Sequence, residues 1–246
     1  MTDAHETRLA RSWEANADAW TAAVREGAIA SRGAGTDAAI VAACAAALPS
    51  LDGAAVLDVG CGEGWLARTL AAHGARVLGI DASAPLVDAA RAAARAAAGD
   101  ADGAADRERT RFEVATYETL AADPTCAAGP FALVVLNFAL LAEDAAPTLS
   151  ACARRLAPGG RVIVQTVHPW VVAGDGPYES GWREETFATF AVPFPATMPW
   201  FFRTLADWHA MLDAAGLRLV RLHEPLHPET RRPLSLLLVA EPIGTR

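Results

Sequence analysis

Val56-Leu57-Asp58-Val59-Gly60-Cys61-Gly62-Glu63-Gly64 decides the fold. Residues 54–59 are a short apolar run that stops at a glycine, the pattern of a strand buried on both faces. Residues 63–73 then carry leucines at 66 and 70, the spacing of a helix with one inward side. Glycines between a strand and a helix allow a tight turn and close ligand approach, and they leave the first helical amides facing a crevice. A dinucleotide could sit on such a turn. Its fingerprint needs G-x-G-x-x-G, however, and the third glycine would stand where the chain has Trp65; Gly64 comes one place early. A bulky side chain where helix and strand must pack disfavours that ligand.

Working outward, residues 76–80 read as a second strand ending at Asp81, and Pro85 suits the first turn of a helix running through Ala98. Residues 99–109 are polar and read as a surface loop. Stretches 111–115, 131–136 and 161–167 read as further strands, with a helix at 149–156 and a turn at Pro158-Gly159-Gly160 before the last of them. Strands alternating with helices imply a doubly wound sheet with right-handed crossovers. Residues 1–50 read as helical. Trp13 and Trp20 lie on one face around Ala17 and read as packing residues, and Thr36 or Asp37 can cap a second helix after a Gly-rich break at 31–35. Residues 168–203 break the rhythm with prolines, glycines and many aromatic rings, the composition of an inserted cap. A helix at 205–215 ending at Gly216, then strands at 217–223 and 235–240, close the chain. The expectation is one domain: an N-terminal helical cap (1–50), a cofactor-binding core (51–167), a substrate-cap insert (168–203) and closing elements (204–246).

Residues 57–64, followed by Gly79-Ile80-Asp81 and by Pro158-Gly159-Gly160-Arg161, resemble the class I S-adenosylmethionine-dependent methyltransferase family. The resemblance covers about residues 37–167 and continues more weakly to the C-terminus. It implies a Rossmann-like, seven-stranded, mostly parallel sheet whose last strand is antiparallel. It also implies S-adenosyl-L-methionine as cofactor. Gly60, Cys61 and Gly62 would meet it through the backbone, and Asp81 with Ala82 would hold the ribose diol. The resemblance gives Asp58 to the methionine ammonium or to the loop itself, and the Asn137 carbonyl to the ammonium. Where the family often places an acid against the adenine amine, this chain has Ala115-Thr116-Tyr117. Thr116 offers a hydrogen bond without charge, and Tyr117 can flank the ring or simply pack. Trp20, Arg25 and Arg32 are candidates to close over the cofactor, an Arg pairing bidentately with its carboxylate.

The 246 residues include 21 Arg and no Lys, and Ala fills 58 positions. Without lysine there is no Schiff-base chemistry, no Walker loop and no kinase lysine. The net charge of −8 argues against a nucleic-acid partner, since backbone binding needs clustered positive charge. Position 137 also begins Asn-Phe-Ala-Leu, not the Asn/Asp-Pro-Pro-aromatic stretch of DNA amino-methyltransferases. Cys44, Cys61, Cys126 and Cys152 show no C-x-x-C spacing, which suggests free thiols in a reducing cytoplasm and no metal site. The N-terminus has no signal-peptide core, and the longest apolar stretch is too short to span a membrane.

The expected activity is in-line methyl transfer to O, N or C of a small molecule. Positioning alone accounts for roughly 7–11 kcal/mol of such a barrier, whereas a general base adds about 10²–10⁴-fold. His168, directly after the fifth strand, is the candidate catalytic base. Trp170, Tyr178, Trp182, Trp200 and Phe201 of the cap are the candidate acceptor walls. A cofactor-binding regulatory protein without turnover and, more remotely, a nucleic-acid methyltransferase are the other readings. Sequence leaves the acceptor and the oligomeric state open.

Overall fold

The computed structural model describes residues 2–97, 109–190 and 192–244. The polar stretch expected as a loop at 99–109 lies outside them, apart from residue 109, as does the expected helix end at Ala98. The chain begins with α1 (Thr2–Arg25), a wide turn (Arg32–Thr36) and α2 (Asp37–Ala47). It continues β1 (Ala55–Val59), α3 (Trp65–Ala72), β2 (Arg76–Asp81), α4 (Ala84–Ala97), β3 (Thr110–Val114), α5 (Tyr117–Ala122) and β4 (Phe131–Asn137). Then come α6 (Ala146–Arg154), β5 (Leu156–Val167), α7 (Pro169–Ala173), β6 (Gly181–Glu185), β7 (Met198–Phe202), α8 (Leu205–Ala214), β8 (Leu217–His223) and β9 (Ser235–Pro242).

The strands form a seven-stranded sheet in the order β3-β2-β1-β4-β5-β9-β8, with β6 and β7 paired separately as an antiparallel hairpin. β9 runs antiparallel to both neighbours, and the other pairings are parallel. Strand alternation divides the core. Leu57 and Val59 face a cluster with Leu136, Leu149, Trp208 and Leu212, under α6 and α8. Val56 faces the opposite cluster, with Ile40, Leu66, Leu70 and Val87 of α2, α3 and α4. Both faces are covered, which is why the parallel strands read as nearly unbroken apolar runs. The order of strands reverses between β1 and β4, so the crevice at their carboxyl ends is where this architecture places ligands.

Several boundaries differ from expectation. α3 starts at Trp65 because residues 60–64 are a loop with positive φ at Gly60, Gly62 and Gly64. Neither Thr36 nor Asp37 caps α2: the chain kinks at Gly35 (φ +147°, ψ −10°), Thr36 and Asp37 after it already have helical φ and ψ, and the Thr36 side chain makes no cap hydrogen bond. β5 already begins at Leu156, paired with Phe131, and passes through Pro158-Gly159-Gly160 with a register shift instead of a separate turn. The short helix α5, whose N-cap Thr116 accepts from Thr119 N, was not expected. No helix among the described residues is long and apolar enough to cross a membrane.

Candidate active site

A cavity of about 940 Å³ opens at the carboxyl ends of β1, β2 and β4. Its floor is the 60–63 loop. Gly60 has φ +73°, and a Cβ there would come within 2.6 Å of the Ala139 Cβ and 2.9 Å of the Tyr117 hydroxyl. Only a glycine lets the β1 loop and the segment after β4 approach this closely. Gly64 has φ +81°, and a Cβ would strike the Phe112 ring at 2.8 Å and the Ala90 Cβ at 2.9 Å. This is the close packing that the third glycine of a dinucleotide site provides, supplied here one residue earlier.

Asp81 ends β2 beside this floor. Its Oδ2 accepts from Gly62 N at 2.9 Å and its Oδ1 from Ser83 N at 2.9 Å. Burial pushes its carboxyl above the usual carboxylate range, and these two N–H groups oppose the shift. A carboxylate oxygen accepts more than one hydrogen bond, so both remain able to take a hydroxyl. Asp58 is 1 % exposed, and its Oδ2 has no partner. Burial and then the charge of Asp81 push it up to about 7. The Asn137 Oδ1 is likewise buried without a partner. Both residues line the cavity, as do Gly60, Cys61, Gly62, Ala82 and Thr116. An unpaired buried acceptor is costly, so this pair of orphaned oxygens fits a cationic, donor-rich ligand group. Burial raises the Cys61 thiol far above its ordinary range, which removes it as a nucleophile. Tyr117 also lines the cavity, but its hydroxyl donates to Ala139 O at 2.9 Å and pins the post-β4 segment.

The roof is α1. Trp13 and Trp20 meet edge to face at 5.3 Å and both line the cavity. Trp13, expected only to pack, is thus a wall residue; its seven-residue spacing from Trp20 already placed both rings on one face. Arg32 lines the cavity, donates to Asp37 Oδ2 at 3.0 Å and lies 4.3 Å over the Trp65 ring. Arg25 is not brought to the cavity. It pairs with buried Glu63 at 3.3 Å and donates to Ala89 O, so it ties α1 to the glycine loop and to α4. Arg68 donates to the same Glu63 Oε2 at 3.0 Å and to its Oε1 at 3.2 Å.

The far wall is the β6–β7 hairpin with the loop between its strands. Met198 and Trp200 line the cavity with Phe187 and Phe190. Trp182 and Phe201 do not. Cross-strand pairing puts Glu185 opposite Met198 and Arg183 opposite Trp200, and Trp182 opposite Phe201 on the reverse face. There Trp182 stacks on His5 of α1 at 4.6 Å and donates to Glu143 at 3.2 Å. Trp170 is 62 % exposed and also lies off the wall. Tyr178 spends its hydroxyl as acceptor for Leu205 N at 2.9 Å, away from the cavity. Of the five cap residues expected as acceptor wall, only Trp200 is there.

His168 is also displaced. It is buried, its Nε2 lies 2.8 Å from Glu224 Oε1, and it is absent from the cavity wall although Thr166 and Val167 are present. Alternation along β5 and the turn into α7 carry the imidazole towards the end of β8. It is not placed to take a proton from a substrate in the cavity.

A family model described as a methyltransferase domain matches residues 36–222. A ubiquinone biosynthesis O-methyltransferase of Xylella fastidiosa is 34 % identical over 125 residues, 50 % of this chain and 46 % of the relative. The chain therefore spans about half the length of the curated relatives it matches. Among solved structures, an S-adenosylmethionine-dependent methyltransferase from Mesorhizobium loti is 25 % identical with a TM-score of 0.58, covering 80 % of this chain and 95 % of that one. Magnesium protoporphyrin IX methyltransferase from Synechocystis, solved with S-adenosylhomocysteine bound, shares the fold at 24 % identity and a TM-score of 0.56, covering 81 % of this chain and 79 % of that one.

Proposed function

The chain belongs to the S-adenosylmethionine-dependent methyltransferases, and from that premise we propose that it methylates a small-molecule acceptor held between α1 and the β6–β7 hairpin. The observation that carries this reading is the pair of orphaned buried oxygens, Asp58 Oδ2 and Asn137 Oδ1, beside the glycine floor of a cavity whose far end is aromatic. S-adenosylmethionine, when bound, supplies a methyl group already activated on a sulfonium. Asp58 and Asn137 would take the ammonium, Asp81 with Ala82 the ribose hydroxyls, and the amides of residues 60–62 the main-chain contacts. Thr116 and Tyr117 would border the adenine, and Arg32 would reach the carboxylate. Trp13 and Trp20 exclude water from above. Trp200, Met198, Phe187 and Phe190 would orient an apolar acceptor body.

Among the described residues no imidazole lines the cavity, and we read catalysis as resting on positioning rather than on a dedicated histidine base. This reading accords with the O-methyltransferase relatives without fixing the methylated atom. The test is a screen of small acceptors with release of S-adenosylhomocysteine as readout, preceded by calorimetry of S-adenosylhomocysteine and NAD. Binding of the former in the micromolar range and none of the latter is expected, and a preference for NAD would refute the assignment. Cofactor binding with no turnover on any acceptor would instead favour the non-catalytic regulatory reading. Asp81→Ala should weaken S-adenosylhomocysteine binding at least about tenfold, because it removes a charged acceptor from the ribose site and leaves Gly62 N and Ser83 N unpaired. Unchanged affinity would take Asp81 out of the ribose role.

A further inference from the structure

The cavity is far more acidic than the chain that builds it. Nine carboxylate residues and two arginines line it, whereas the whole sequence has 29 and 21. Some of that charge is accounted for. Asp58 and Asp81 belong to the cofactor end, Glu63 is held by Arg25 and Arg68, and Asp37 is held by Arg32. Of the rest, Glu118 is on α5 and Glu6 and Glu14 are on α1 with the second lining arginine, Arg11, while Glu185 on β6 and Asp144 after β4 lie towards the hairpin. Arg203, behind the post-β4 segment, donates to the carbonyls of Leu140, Ala142 and Glu143 and offsets Asp144, but it does not line the cavity.

Glu185 is the best-placed of these. Its Cα is opposite Met198, and Trp200 lies two residues further along β7 on the same face, so carboxylate, thioether and indole share one wall. Its Oε1 accepts from Phe187 N at 2.6 Å, which fixes the side chain and leaves Oε2 for a ligand. The adjoining surfaces, Trp13, Trp200, Phe187 and Phe190, are aromatic faces, which attract cations as carboxylates do. The cavity already holds one cation in this manner: the Arg32 guanidinium lies over Trp65 and pairs with Asp37. Low-dielectric walls of one sign concentrate ligands of the other.

We infer that the acceptor is a cation: a small molecule with a protonated basic nitrogen joined to an apolar ring or chain, the nitrogen held by Glu185 and the apolar part by Trp200 and its neighbours. Acceptors bearing carboxylate or phosphate are rejected by the same wall. This rests on the methyltransferase reading, since it assigns the end of the cavity away from the cofactor to the acceptor.

The test uses the full chain saturated with S-adenosylhomocysteine and three probes of similar size: 2-phenylethylamine, 2-phenylethanol and 3-phenylpropanoate. Calorimetry should rank them amine, alcohol, carboxylate, with the amine at least about tenfold tighter than the carboxylate and weakening as salt is raised. Glu185→Gln should narrow the amine–carboxylate gap about threefold or more, while affinities for the alcohol and for S-adenosylhomocysteine stay unchanged. The proposal is overturned if the carboxylate binds as well as the amine, if the alcohol matches the amine, or if millimolar amine gives no binding. A gap that survives Glu185→Gln also overturns it. Failure to bind S-adenosylhomocysteine at the outset is a different result and refutes the cofactor reading itself.

Discussion

Asp58 is a residue whose burial costs stability. Its carboxyl titrates near 7 in the folded protein because burial and the Asp81 charge oppose ionisation, against an ordinary value of 3.8. Between those pH values the folded state holds a proton that the unfolded chain has lost, so stability falls as pH rises through that window. A shift of this size corresponds to about 4 kcal/mol. Asp58→Asn should therefore raise the melting temperature of the ligand-free protein at pH 8 and flatten its dependence on pH. The same substitution should weaken S-adenosylhomocysteine binding, and wild-type binding should tighten as pH rises from 5.5 to 8, as the ammonium comes to meet an ionised partner. Thermal melts and calorimetry across pH check both halves. A flat melting profile in the wild type would show that Asp58 is ionised throughout.

At the scale of elements, the β1 loop shows most directly how sequence builds the site. Gly64→Ala would force a side chain into a left-handed backbone and against Phe112 and Ala90, both under 3 Å away. It should cost about 1–3 kcal/mol, and melting in denaturant checks it. Those glycines, the strands around them and Asp81 were legible because a turn, an approach or a buried face restricts which residue can stand there. The cap was not. Its aromatic residues announced an insert, but which of them face the cavity depends on hairpin register, and residues 181–185 and 198–202 are too far apart in sequence for a short turn to fix the pairing. Trp182 and Trp200 look equivalent in the sequence, yet one packs on α1 and the other lines the cavity. His168 shows the same limit: its place after β5 is legible, but its partner, Glu224, stands just past the end of β8, 56 residues away in sequence.

At the scale of the whole molecule, α1 is fastened at three places. Arg25 fixes its end to the glycine loop through Glu63. In its middle, the Asn16 amide donates to Ala196 O at 2.8 Å and accepts from Ala196 N at 3.0 Å, clasping the segment that leads into β7. Arg8 pairs with Glu184 further along. One helix thus spans the glycine-loop end and the hairpin end of the cavity and is tied down at both. The expected consequence is kinetic: release of the products, which needs α1 to lift, should be slower than methyl transfer. Rapid mixing with an acceptor identified by the screen should show one fast equivalent of methylated product per protein, followed by a slower steady rate. Asn16→Ala should speed that later phase and erase the burst; a linear time course in the wild-type protein would show that chemistry, not the fastened helix, is the slow step.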